Sequence, residues 1–450
     1  MRKLLGFVIV CSLISGFALA TSSSAAPKPP KLGSSCTKAG LFFDTPNLRY
    51  VCNVEGKKKV WREWTPTGVK GGSDSQAPNP GSKVNSNATS KSGTSVQFVP
   101  KIPISLPVVQ NGSITFANAA ANFSSIPQVA WQRVQEVISA NRDVNIPTNI
   151  SIGPSTRTTK EQIISLLQKE YRLFQGFSQP SSYTGLVFNA QDEPWAERQA
   201  STVFSAQHDT QFFSRVSQIM KNACDLSNPA TANCSAGNAL DFSPSTAGGT
   251  LYGVQEPYWN STNQNVGPMS QVDHEYTHNV QFAQWIGARL PEGVQSRAQA
   301  AHTKMPCWFQ EGQANAIGIP VWAPDFQTYT SARRGNIARA INPNGPKPSL
   351  TTYTAEAFAN FLYNQDPLTC FSPSSGDYPL GYSVGYAATE ALVAIGGPQA
   401  TMALLTKMAA GDNWSEAFQH VYGISWKDGA NTLGAVLSAE YAVLPLGSGG

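Results

Sequence analysis

The stretch QVDHEYTHNVQF, residues 271–282, constrains this chain more than any other. Two histidines four apart share one face of an α-helix about one turn from each other, so His274 and His278 can reach a single ion while Glu275 projects beside them. This is the HExxH spacing, in which two histidines hold a metal and the glutamate serves as general base. The helix has its context: Pro268 and Ser270 can start it, Asp273 suits the positive end of its dipole, and Val272, Val280, Phe282, Ala283 and Trp285 supply apolar packing. It is therefore predicted to be buried, where two imidazoles and a carboxylate are costly without an ion to share.

A catalytic zinc site takes three protein ligands and keeps one position open. Three residues compete for the third place. His302 would complete a pattern that needs a glycine and a histidine where this chain has Gln281 and Gln284, and so it fails. Glu292 follows Pro291 in a loop-like segment. Glu311, in CWFQEGQANAIG (307–318), is the strongest: an aromatic pair leads into a helix in which Gly312 and Ala314 are small enough for close approach to the first.

HEYTH followed by WFQEGQA resembles the gluzincin metallopeptidases, the family of thermolysin and the aminopeptidases, in the form whose second motif reads Trp-Phe-x-Glu-Gly-x-Ala. The resemblance covers roughly residues 120–440. It implies one zinc ion held by His274, His278 and Glu311, with Glu275 as general base on a zinc-activated water and a peptide or protein as substrate. It also implies an oxyanion donor on a later helix, for which GYSVGYAATEAL offers Tyr382 first and Tyr386 second, with His420 more distant. Two departures stand out. His278 and Glu311 are 33 positions apart, more than in thermolysin, so about residues 290–306 read as an inserted loop. Asn315 stands four beyond Glu311, where thermolysin-like enzymes place an aspartate that orients a histidine. TLYGVQ (250–255) reads either as the edge strand along which such enzymes align an extended peptide or as an ordinary core strand. His208 and His302 are assigned surface or structural places. The rival to a secreted peptidase is a non-catalytic envelope or binding protein that keeps a zinc-holding gluzincin fold.

The rest of the chain sets the surroundings. Arg2 and Lys3 precede an apolar run ending in Ala18-Leu19-Ala20, the form of a signal peptide over residues 1–20, and no later segment is long and apolar enough to span a bilayer. Charged residues are only 13% of the chain and the net charge is +4, with Lys and Arg scattered. That excludes a nucleic-acid footprint, and the GKKK run at 56–59 reads as a solvated turn. Apart from Cys11 in the leader there are six cysteines, an even number that suggests three disulfides in an exported protein. Proximity favours 36 with 52 and 224 with 234, leaving 307 with 370.

Residues 36–65 read as a small two-cysteine module, suggestive of an envelope contact, and 66–100 as a flexible linker. Residues 101–450 then form the large domain. Within it, strand patterns at 146–155, 182–190 and 248–259 precede helical spacing at 311–319, 354–364, 383–395, 398–410 and 414–421. Thr158 and Glu161 read as a capping box opening a helix through Phe174. The expected fold is α+β, a gluzincin-like metallopeptidase domain with a strand-containing N-terminal lobe and a mainly helical C-terminal lobe.

Overall fold

A segment too short to hold a large core needs a covalent staple, and here Cys36 is bonded to Cys52, sixteen residues on. The computed structural model describes residues 30–36, 42–44, 49–55, 58–65, 68–70, 98–203, 236–254, 270–337, 350–365 and 376–444. These fall into two compact units divided between Ser95 and Val96. In the first, strands β1 (Phe42–Asp44), β2 (Arg49–Glu55), β3 (Lys58–Thr65) and β4 (Gly68–Lys70) form an antiparallel sheet in sequence order. Cys52 pairs with Trp61 across β2 and β3, so the disulfide fastens residue 36 to the middle of the sheet. Two sequence readings change here. The sheet runs on to Lys70, into the stretch read as linker, because β4 pairs with the end of β3. Lys58 and Lys59 of the GKKK run lie exposed on β3 rather than in a turn. The leader, residues 71–97 of the linker, Cys224, Cys234 and Cys370 lie outside the described residues; Cys307 is disulfide-bonded.

The second unit is mixed α/β. Its sheet has β5 (Thr148–Ile152), β6 (Tyr183–Phe188), β7 (Ala236–Asp241) and β8 (Gly248–Gly253) in the order β5-β6-β8-β7. β5, β6 and β8 are parallel, and β7 closes the edge antiparallel to β8. Parallel neighbours require crossovers, and their strands are covered on both faces, which is why β8 is buried along its whole length. TLYGVQ is thus an interior strand, not the edge. The edge strands are β5 and, beside β8, β7, whose sequence AGNALD carries little strand propensity.

The helices are α1 (Ile126–Ala140), α2 (Lys160–Leu173), α3 (Glu193–Val203), α4 (Ser270–Ala283), α5 (Arg297–Lys304), α6 (Cys307–Trp322), α7 (Phe326–Ile337) and α8 (Ala355–Asn364). α9 (Tyr386–Gly396), α10 (Pro398–Ala409), α11 (Trp414–Tyr422) and α12 (Trp426–Val443) follow. A single turn, Tyr378–Leu380, and a π-helical segment, Gly381–Gly385, lead into α9. α2 opens on a capping box one residue later than the sequence suggests: Thr159 accepts from the Gln162 amide while the Gln162 side chain accepts from Thr159. α5 lies within the segment read as an inserted loop and fills about half of it. It is anchored by Asp241 of β7, which receives the Arg297 guanidinium and the Ala298 amide. Among the described residues no helix is long and apolar enough to cross a membrane.

α4 packs against β7, β8, α2 and α6, and α6 packs in turn against the π segment and α9. These contacts are close because glycines make them. A Cβ at Gly318 of α6 would lie 2.6 Å from the His274 amide nitrogen, and Cβ atoms at Gly312 and Gly385 would overlap Gly385 O and Trp308 O respectively. The N-terminal end of α6 is held by aromatics: Trp308 stacks on Trp426 with centroids 5.9 Å apart, and Phe309 lies 4.8 Å from Trp414. Farther out, Arg333 of α7 forms a fork with Glu390 of α9 and reaches Glu440 of α12 at 2.8 Å, a buried network that fixes how three helices sit together.

Because main-chain atoms cannot move aside cheaply, Gly385→Ala is expected to destabilise the fold by about 1–3 kcal/mol or more. A thermal unfolding midpoint unchanged by this substitution would contradict the packing described.

Candidate metal centre

Helical spacing brings the first two candidate ligands together. His274 and His278 meet edge to face with Nε2 atoms 3.1 Å apart, on a helix whose residues are nearly all buried. α6 supplies the third: Glu311 Oε2 lies 3.4 Å from His274 Nε2 and 3.3 Å from His278 Nε2. This oxygen is buried and has no hydrogen-bond partner among the described residues. Three ligand atoms thus converge, one of them an orphaned carboxylate oxygen, and the group could hold a metal ion. Among the described residues it is the one such group of three or more.

Each imidazole is oriented from behind. Asn315 donates its Nδ2 to the main-chain carbonyl of Tyr382 at 3.1 Å, which turns its Oδ1 toward His274 Nδ1 at 2.9 Å. The proton therefore sits on Nδ1, leaving the Nε2 lone pair for the triad. His278 Nδ1 meets Gln281 Oε1 at 2.8 Å, and Gln281 donates onward to Gln310 O and to Gln313 Oε1. Gln313 continues to Thr401, which closes on Pro398 O at the start of α10. Both outer partners are neutral amides. The resemblance singles out Asn315, which stands where an aspartate is expected, whereas nothing in the sequence marks Gln281 as a partner of His278.

Glu275 is directed toward the sheet edge. Its Oε2 accepts from the Ala239 amide of β7 at 2.8 Å, and a Cβ at Gly237 would overlap its carboxylate. Gly237 and the Ala239 amide therefore make the place for this side chain, and neither is foreseeable without knowing that β7 lies there. Burial raises the Glu275 pKa, with the two histidines opposing and Glu311 reinforcing the rise.

The three candidate oxyanion donors separate cleanly. Tyr382, in the π segment, stacks on the His274 ring with centroids 6.0 Å apart and planes 11° from parallel. Burial, and after it the charge of Glu311, pushes its phenol up, so it remains a proton donor. Tyr386 is fully buried and feels Glu390 and Arg333 instead. His420 is 53% exposed and paired with Asp412 at 2.7 Å. His302 faces Phe282 from α5, Glu292 is exposed ahead of that helix, and His208 lies outside the described residues. Asp273 stands in the first turn of α4, as the sequence suggests. It is fully buried without a hydrogen-bond partner, and its pKa is raised well above the usual range by burial, against the opposing charge of Lys169.

Comparison with protein-family models, with curated proteins and with solved structures finds no match to the chain.

Two outcomes follow for metal binding. Glu311→Gln removes the single anionic ligand and should weaken zinc binding by more than about a hundredfold in a calorimetric titration; an unchanged affinity would remove Glu311 from the site. In chelator-treated protein, burial pulls the His278 imidazole down, but Glu311 more than reverses this and pushes it up to about 9. Below that pH an incoming ion must displace a proton. Zinc affinity should therefore rise with pH, by up to about tenfold per unit, and level off near pH 9. A pH-independent affinity between 6 and 8 would contradict this.

Proposed function

We propose that this protein is a secreted zinc-dependent peptidase of the gluzincin type. The observation that carries the reading is the placement of Glu275: a buried carboxylate that is not one of the three converging ligands, fixed beside them by the edge of a sheet. Zinc is favoured by the donor set, two imidazoles and one carboxylate, and by the spacing. Ligand atoms 2.0–2.1 Å from a tetrahedral ion stand about 3.3–3.4 Å apart, and the separations here are 3.1, 3.3 and 3.4 Å.

His274, His278 and Glu311 would hold the zinc ion, which would supply Lewis acidity to a carbonyl and to a water. The remaining work falls to the chain. Glu275, with one oxygen fixed by Ala239, accepts the proton of the attacking water and returns it to the leaving amine. Its raised pKa suits both halves of that task. Tyr382 donates to the oxygen that becomes negative as the carbonyl carbon turns tetrahedral, and Asn315 holds both the main chain of Tyr382 and the imidazole of His274. β7 offers an edge along which an extended peptide can lie, since among the described residues no strand pairs with its outer side. The reading of an exported protein rests on the leader-like first twenty residues together with the Cys36–Cys52 disulfide and the disulfide-bonded Cys307.

A non-catalytic zinc-holding protein is the alternative, and one comparison separates the two. A diverse peptide pool is incubated with the mature protein and with Glu275→Gln, and products are identified by mass spectrometry. Cleavage by the unmodified protein that falls by about a thousandfold or more in Glu275→Gln, with zinc content unchanged, is the expected result. Equal cleavage by both would show that Glu275 is not the base, and none by either would favour the binding protein.

A further inference from the structure

The residue four before Tyr382 is also a tyrosine, and one helical turn places the two phenols together. Tyr378 Oη and Tyr382 Oη are 2.8 Å apart, and their rings pack edge to face with centroids 5.3 Å apart and planes at 80°. Both side chains are half-buried. The main chain beneath Tyr382 is fixed from the opposite direction, where its carbonyl accepts from Asn315 and Gly381 lies against Glu311 and Cys307. What remains to be set is the direction of the phenolic proton.

A hydroxyl has one hydrogen and can both give and accept. If Tyr382 gave its hydrogen to Tyr378, none would be left for a substrate oxygen. With the opposite polarity, Tyr378 donating, the Tyr382 hydrogen is free to point over the imidazole of His274 toward the reacting carbonyl. A hydroxyl that accepts a hydrogen bond also becomes a stronger donor, and that gain is largest when the acceptor carries charge. The contact therefore favours the transition state over the bound substrate, the condition for raising the rate rather than the affinity.

We propose that Tyr378 is a positioning residue: its hydroxyl donates to Tyr382 Oη and aims the Tyr382 hydrogen at the substrate oxygen that develops negative charge. The inference rests on the reading of Tyr382 as the oxyanion donor. Tyr378 itself need not touch the substrate. It acts through Tyr382, so its loss should have no effect where Tyr382 is already gone.

The test is a double-mutant cycle in the full mature chain loaded with zinc, using Tyr378→Phe, Tyr382→Phe and the double variant. Zinc content and the thermal unfolding midpoint are measured for each. For Tyr378→Phe the expected result is a fall in kcat of about tenfold with KM within twofold, and an equal loss of affinity for a phosphinic pseudopeptide whose anionic oxygen mimics the tetrahedral centre. The double variant should be no slower than Tyr382→Phe. A merely structural Tyr378 would lower the unfolding midpoint and leave kcat and the phosphinic affinity alone, and that result overturns the proposal. So do losses that multiply in the double variant. Full turnover in Tyr382→Phe would instead remove the oxyanion-donor reading on which it stands, a failure distinguishable from an impaired Tyr382→Phe beside an intact Tyr378→Phe.

Discussion

Everything at the candidate metal centre depends on how closely α6 lies against its neighbours. Ordinary helix pairs keep their axes 8–10 Å apart, with side chains filling the gap. Here the filling is absent at three points, because Gly318 meets the backbone of His274 while Gly312 and Gly385 face each other across α6 and the π segment. The first contact sets the distance between the histidine helix and the glutamate helix. The second brings the main chain of Tyr382 within reach of Asn315, on the same helix as Glu311. One helix therefore gauges the separation of all the other parts. An apolar residue in place of any of these glycines would hold the helices apart, and Glu311 would reach His274 and His278 only in a strained rotamer.

That closeness has an electrostatic consequence. α4 and α6 are buried almost throughout, so the ligands lose water on every side. A lone carboxylate would be driven toward its neutral form in such a place. Glu311 goes the other way: burial raises its pKa, but the two imidazoles outweigh that and lower it well below the usual range. Asp273, one residue before His274 but without such partners, is pushed up instead. The contrast between two buried acids, one adjoining His274 in the chain and the other beside both histidines in space, shows that composition does not decide which one stays charged. Partners do.

What the sequence made legible was local. The i, i+4 spacing of His274 and His278 defines a ligand pair before any fold is known, and Trp308-Phe309 announces a buried helix start, which the aromatic cluster around Trp414 and Trp426 bears out. The choice of Glu311 over Glu292 and His302 also agrees with the geometry, because small residues around it signalled close approach. What stayed hidden depends on chain segments far apart. β7 carries neither strand propensity nor alternation and is a strand only because β8 offers it a partner, so the edge strand precedes TLYGVQ instead of coinciding with it. Gln281 is an unremarkable polar residue until Gln310 and Gln313 are brought beside it. Tyr378 lay one turn from a residue already singled out, and the same i, i+4 rule that found the histidines would have found it.

The arrangement around Glu275 bears on whether the site was shaped for more than holding an ion. Three ligands with oriented imidazoles suffice to bind a metal, and a second buried carboxylate close to Glu311 opposes that task by like-charge repulsion, which is part of why the Glu275 pKa is raised. The fold nevertheless makes room for it. β7 carries a glycine at 237, where any side chain would collide with Glu275, although glycine weakens a strand by about 0.5–1 kcal/mol relative to alanine. β7 also directs the Ala239 amide to Glu275 instead of to a neighbouring strand. A purely structural metal site gains nothing from either concession and would be more stable with an apolar residue at 275. A site that must take a proton from water and hand it on needs a carboxylate there, held by one oxygen and raised in basicity, and that is the arrangement the edge strand provides.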